Sequence, residues 1–164
     1  MNPMRTLYAV GTCALAATLL AGAPRTSWFE ARTTGAQTLT LRGDAEFGTV
    51  HSTDEPGPFV LTLGATSSRG AVVFTIRNGL RPEPGIYDLA DCFGVVQGLV
   101  VTGSPTRPRG AFHARAGTLT ITRSSPDFIS GRFRIDAVGF EAAGPTDEDR
   151  QLAVRGAFTA SPAR

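Results

Sequence analysis

From residue 36 onward apolar and polar side chains alternate almost one by one, and this period of two restricts what the chain can fold into more than any other feature. It runs through Thr38 to Arg42 (TLTLR), Phe59 to Leu63 (FVLTL), Val72 to Arg77 (VVFTIR), Thr118 to Thr122 (TLTIT), Ser130 to Asp136 (SGRFRID) and from Leu152 to Phe158. Successive side chains of a β-strand point to opposite faces, so such segments are strands with one side on a core and the other in water. Gly, Pro, Ser and Asp gather between them, at Ala65 to Gly70, Asn78-Gly79, Arg81 to Gly85, Gly103 to Gly110 and Ser124 to Asp127. After the first residues no window carries the i, i+3, i+4 stripe of an amphipathic helix. The pattern predicts an all-β domain over residues 36–162, an antiparallel β-sandwich or β-barrel of about eight or nine strands.

The strands fall near 37–43, 45–51, 58–64, 71–77, 85–89, 93–102, 111–123 with a bend at Gly117, 129–141 and 151–160. Parity breaks once. Phe133 and Ile135 share a face, whereas Val138 and Phe140 lie on the other, and a bulge near Ala137 to Gly139 would return them to the core side. Residues 24–35 (PRTSWFEARTTG) read as an irregular lead-in, in which Trp28 and Phe29 close one end of the core, the alternative for Trp28 being a ligand-stacking residue.

The N-terminus carries a separate message. One arginine, Arg5, precedes an uncharged apolar run from Leu7 to Ala23 that ends in Ala21-Gly22-Ala23, the pattern of a secretory signal peptide over residues 1–23. An uncleaved segment of this length would instead be a short membrane anchor. Cys13 follows Thr12 and lies inside the apolar run, so it reads as part of the leader and not as a lipid-attachment site. With the leader removed, Cys92 is the sole cysteine, which leaves no intramolecular disulfide and a fold that stands on its core. The protein is expected to be exported, to the periplasm or beyond the cell.

The charge balance excludes several classes. A net charge of +2 over 164 residues gives no field that would draw nucleic acid. The sequence contains no lysine, which removes Schiff-base chemistry and a Walker-type phosphate loop. His51 and His113 are the two imidazoles, and with Cys92 they match no zinc spacing and no nucleophile motif. Asp54-Glu55 and Asp147 to Asp149 read as solvated acidic turns, and Arg42-Gly43-Asp44 as a strand end followed by a turn. No catalytic residue, metal site or cofactor is expected.

One asymmetry remains. Six arginines (Arg107, Arg109, Arg115, Arg123, Arg132, Arg134) but a single acid, Asp127, occupy residues 101–135. Alternation sets Arg132 and Arg134 opposite Phe133 and Ile135, and a hairpin would lay Thr118, Thr120 and Thr122 beside them. Together with Arg115 they form a cationic, hydroxyl-rich face suited to an anionic glycan or another acidic envelope component.

The segments Gly117 to Thr122 (GTLTIT), Ile129 to Ile135 (ISGRFRI) and Val154 to Ala160 (VRGAFTA) resemble the C-terminal half of a family of uncharacterised exported bacterial all-β proteins, many of them lipoproteins. Gly43 to Gly48 (GDAEFG) and Pro84 to Leu89 (PGIYDL) are similar to earlier elements of that family. The resemblance implies an all-β fold and export, and it carries no active-site residues. The expected role is that of a non-catalytic binding or structural module of the bacterial envelope. The alternatives are a small carrier with an apolar barrel cavity and a secreted hydrolase.

Overall fold

The computed structural model describes residues 26–51, 56–64, 66–67, 69–89, 94–104, 107–142 and 150–163. The expected leader, Cys13, Cys92, Asp54, Glu55 and Asp147 to Asp149 lie outside the described residues. What is described is all-β: β1 (Trp28–Gly35), β2 (Thr40–Gly43), β3 (Ala45–His51), β4 (Pro56–Leu63), β5 (Gly70–Ile76), β6 (Gly85–Asp88), β7 (Val96–Ser104), β8 (Arg107–Ser124), β9 (Ile129–Glu141) and β10 (Arg150–Pro162).

These strands form one curled sheet in the order β2-β1-β10-β3-β4-β5-β7-β8-β6, with β9 bridging β8 and β10. All pairs are antiparallel except β10 with β3, which meet in parallel at Ser161↔Glu46 and Pro162↔Phe47. That short contact, with the Ala163 N–H donating to the Phe47 carbonyl at 2.8 Å, closes a circuit through β3, β4, β5, β7, β8, β9 and β10. The strands β1 and β2 extend beyond β10, and β6 extends beyond the second half of β8. The outermost strands β2 and β6 have four residues each, so the free edges are too short to template pairing with another chain.

The core is where alternation put it. Leu61 and Leu63 of β4, Val72, Phe74 and Ile76 of β5, Phe112 of β8, Phe133 and Ile135 of β9 and Val154 and Phe158 of β10 are all buried. Phe74 and Phe133 meet edge-to-face across the interior, with centroids 5.3 Å apart, which joins β5 to β9 through the core rather than along the sheet. On β9 and β10 each inward glycine is paired with a phenylalanine, Gly131 with Phe158 and Gly156 with Phe133. A Cβ on Gly156 would lie 2.6 Å from the Phe133 ring, so the aromatic ring fills the space the glycine leaves.

Two expectations are corrected. The lead-in expected at residues 24–35 is a strand from residue 28: β1 pairs with β10 from Trp28↔Thr159 to Gly35↔Leu152 and with β2 from Phe29↔Gly43 to Arg32↔Thr40. Phe29 is buried as expected, but Trp28 points outward and is 45% exposed. Its hairpin to β2 is tied by Thr33, whose hydroxyl donates to the Gln37 carbonyl at 2.7 Å and accepts from the Leu39 N–H at 2.9 Å. The bulge expected in β9 is also absent, since its register with β10 runs without a break from Arg150↔Gly139 to Ala160↔Ile129, leaving Phe140 59% exposed. The irregularities lie in β8, at Arg115 and at Thr122, where one residue each is left over against β9. The first flips the inward set from Phe112 and Ala114 to Leu119 and Ile121 and sits beside Gly117, whose φ of 135° a side chain would resist. There β8 leaves β7 and takes β6 as its neighbour.

Candidate functional site

The outer surface of β1, β10, β9 and the second half of β8 is the most distinctive surface among the described residues. Register fixes its rows. One row crosses the strands as Asp88, Thr118, Arg134, Arg155, Arg32 and Thr40, and the next as Ile86, Thr120, Arg132, Ala157, Glu30 and Arg42. Arg132 and Arg134 therefore stand beside Thr120 and Thr118, as the alternation of the sequence predicts. Three arginines from three neighbouring strands, Arg134, Arg155 and Arg32, lie directly side by side, at a strand spacing of about 4.8 Å. All are exposed.

Three acids moderate this charge at its margins, the first being Asp88 at the β6 end of the row. Glu30 Oε1 accepts from Arg42 Nη2 at 3.1 Å, and Asp136 Oδ2 lies 4.0 Å from Arg134 Nε. Among the described residues neither Arg155 nor Arg32 has an acidic partner within ion-pair distance. Arg115, the residue left over at the β8 bulge, points outward and lines a depression of about 390 Å³ with Asp136 and Thr34. It thus borders the same surface as Arg132 and Arg134.

A second, larger depression of about 640 Å³ runs along the β1–β10 seam. Its wall carries Trp28, Glu30, Arg32 and Arg155, and the small outward residues Ala153 and Ala157 leave room between them. Trp28, Glu30 and Arg32 alternate along β1, so the backbone positions of Trp28 and Arg32 stand about 13 Å apart, four steps of a strand. Sequence reasoning weighed Trp28 as a ligand-stacking residue but assigned it to the core, and it missed Arg32 and Arg155. For Arg155 the signal was present, since it alternates with Val154, but its neighbours come from distant segments.

The opposite outer surface differs. Ala71, Val101, Ala111 and Phe140 line up across β5, β7, β8 and β9, and Val73, Leu99, His113 and Val138 form the adjacent row. His113 is the sole titratable group in those two rows. Among the described residues no group of three or more His, Cys, Asp or Glu side chains converges on a metal-sized site. Cys92 lies outside the described residues.

Comparison with protein-family models, with curated proteins and with solved structures finds no match.

Proposed function

We infer that this protein is an exported, non-catalytic binding module of the bacterial envelope that holds an anionic glycan on the outer face of β1, β10, β9 and β8. The observation that carries the reading is the row Arg134, Arg155, Arg32: three exposed arginines in register on neighbouring strands, flanked in the same row by Thr118 and Thr40. Guanidinium forks bind carboxylate, sulfate and phosphate bidentately, and hydroxyls of threonine serve the remaining oxygens of a saccharide. The apolar leader at residues 1–23 supports export, and the similarity of the GTLTIT, ISGRFRI and VRGAFTA segments to exported bacterial proteins supports the envelope. The Phe74–Phe133 contact fills interior space that a carrier of apolar ligands would need, which favours a surface site over an internal one.

The test is titration with polygalacturonate and with dextran sulfate, each against neutral dextran. Both acidic polymers bind at low salt and are released as salt shortens the screening length from about 30 Å at 0.01 M to about 3 Å at 1 M. Arg132→Ala and Arg134→Ala each weaken binding. No binding of either polymer at low salt removes the reading.

A further inference from the structure

We propose that the β1–β10 depression is a subsite for a chain of acidic sugars, in which Trp28 stacks on one pyranose ring while Arg32 and Arg155 take the carboxylate of another. This deepens the reading of the surface as an anion site and rests on it.

The argument starts from what the depression combines. An exposed indole beside arginines has a π-face that attracts the partly positive C–H bonds of a sugar ring, and it gains nothing from a bare polyanion. The guanidiniums provide the opposite selectivity, since they need an acid and ignore a neutral ring. Glu30, the acid on the wall, is occupied by Arg42 at 3.1 Å, so the charge left facing the depression is positive. Ala153 and Ala157 keep the floor low enough for a ring to settle along the seam. The backbone separation of about 13 Å between Trp28 and Arg32 exceeds the width of one sugar ring, so an oligomer is what engages both ends together. Polymers of uronic acids have this combination, with an apolar ring face and a carboxylate on each unit.

Trp28 is the only tryptophan in the sequence, so intrinsic fluorescence reports directly on this end of the depression. The experiment titrates the wild-type protein, Trp28→Ala and Trp28→Phe with galacturonic acid, with oligogalacturonates of increasing length and with inorganic polyphosphate. Fluorescence follows the wild-type protein, and calorimetry follows all three. Oligogalacturonate is expected to shift the emission of the wild-type protein, with affinity rising once the oligomer spans both ends, whereas the monosaccharide binds weakly. Trp28→Ala lowers oligogalacturonate affinity about tenfold, the scale of a stacking contact, and leaves polyphosphate affinity unchanged. Trp28→Phe, which keeps an aromatic face and the strand, restores most of the loss and separates stacking from misfolding. If polyphosphate binds but oligogalacturonate leaves the emission unmoved, or if Trp28→Ala changes neither affinity, the subsite is refuted while the anion surface stands. If neither polymer binds, the anion surface fails and the subsite fails with it.

Discussion

The contact between Phe74 and Phe133 is the point at which stacking of the sheet upon itself can be measured. Phe133 is 4% exposed and its ring meets Phe74 at 5.3 Å with an interplanar angle of 68°, across the core and not between neighbouring strands. Truncating either ring to Ala would cost about 3–5 kcal/mol, and the pair together would approach the whole stability of about 5–15 kcal/mol expected of a domain. Leucine is the better probe. Phe74→Leu and Phe133→Leu should each cost about 1–2 kcal/mol, because each site keeps most of its volume. The double variant should cost less than the sum by about 0.5–1.5 kcal/mol, the worth of an edge-to-face pair beyond its buried area. With a urea slope of about 2 kcal/mol per molar, that coupling displaces the midpoint by roughly 0.25–0.75 M, well within resolution. Far-UV circular dichroism follows the sheet, and Trp28 fluorescence provides an independent probe of the same transition. Strict additivity, with both single costs intact, would mean that the two rings are buried apart and that β5 does not face β9.

The hydroxyl oxygen of Thr102 is buried and has no hydrogen-bond partner among the described residues, so Thr102→Val should stabilise the fold by about 1 kcal/mol in thermal or urea unfolding. Gly117 has a φ of 135° and a Cβ there would sit 2.1 Å from the Arg134 carbonyl oxygen; Gly117→Ala should therefore cost about 3 kcal/mol or more, and a loss under 1 kcal/mol would contradict the bulge geometry. Arg155→Thr should raise the midpoint of thermal unfolding at low salt while weakening the binding of acidic polysaccharide, two effects of opposite sign read on one variant.

Nine of the ten strands were legible, several of them because the inner set contains bulky apolar residues at every second position, as in Leu61 and Leu63 or Val72, Phe74 and Ile76, whereas the short and exposed β6 has no such set. The missed strand, β1, buries Phe29, Ala31 and Thr33, and the last two are too small and too polar to register as a stripe. Its place is set by β10, more than a hundred residues away in sequence, which supplies the partner row that Trp28 to Gly35 lacks locally. The misplaced bulge arose from assuming that Val138 and Phe140 must point inward. They belong instead to an outer surface with Ala111 and Val101, and exposure of large apolar residues is common in folded proteins. Half of the candidate site could be read from alternation alone, namely Arg132 and Arg134 with Thr118 and Thr120. The other half, Arg155, Arg32 and Trp28, required the registers of β10 against β9 and β1, which no local pattern encodes.

The like charges of that face bear on the stability of the free protein. Like charges directly opposite on neighbouring strands destabilise a sheet by an amount similar to the roughly 0.2–1 kcal/mol that favourable cross-strand pairs contribute. Arg155 has such a neighbour on both sides, Arg134 on β9 and Arg32 on β1, so its presence in the free protein is a net cost. The acids nearby do not remove it: Asp136 stands one row away beside Arg134, Glu30 is engaged by Arg42, and exposed ion pairs contribute about 0–1 kcal/mol at best. A surface serving solubility alone would interleave both signs, and a threonine at position 155 would suit the strand better. The repulsion disappears when an anion lies across the row, since one acidic group then answers two guanidiniums. On the proposed reading, stability lost in the free protein is recovered as affinity for the anion, and substitution of Arg155 is expected to move the two measurements in opposite directions. A surface whose arginines were incidental would show the gain in stability without the loss of binding.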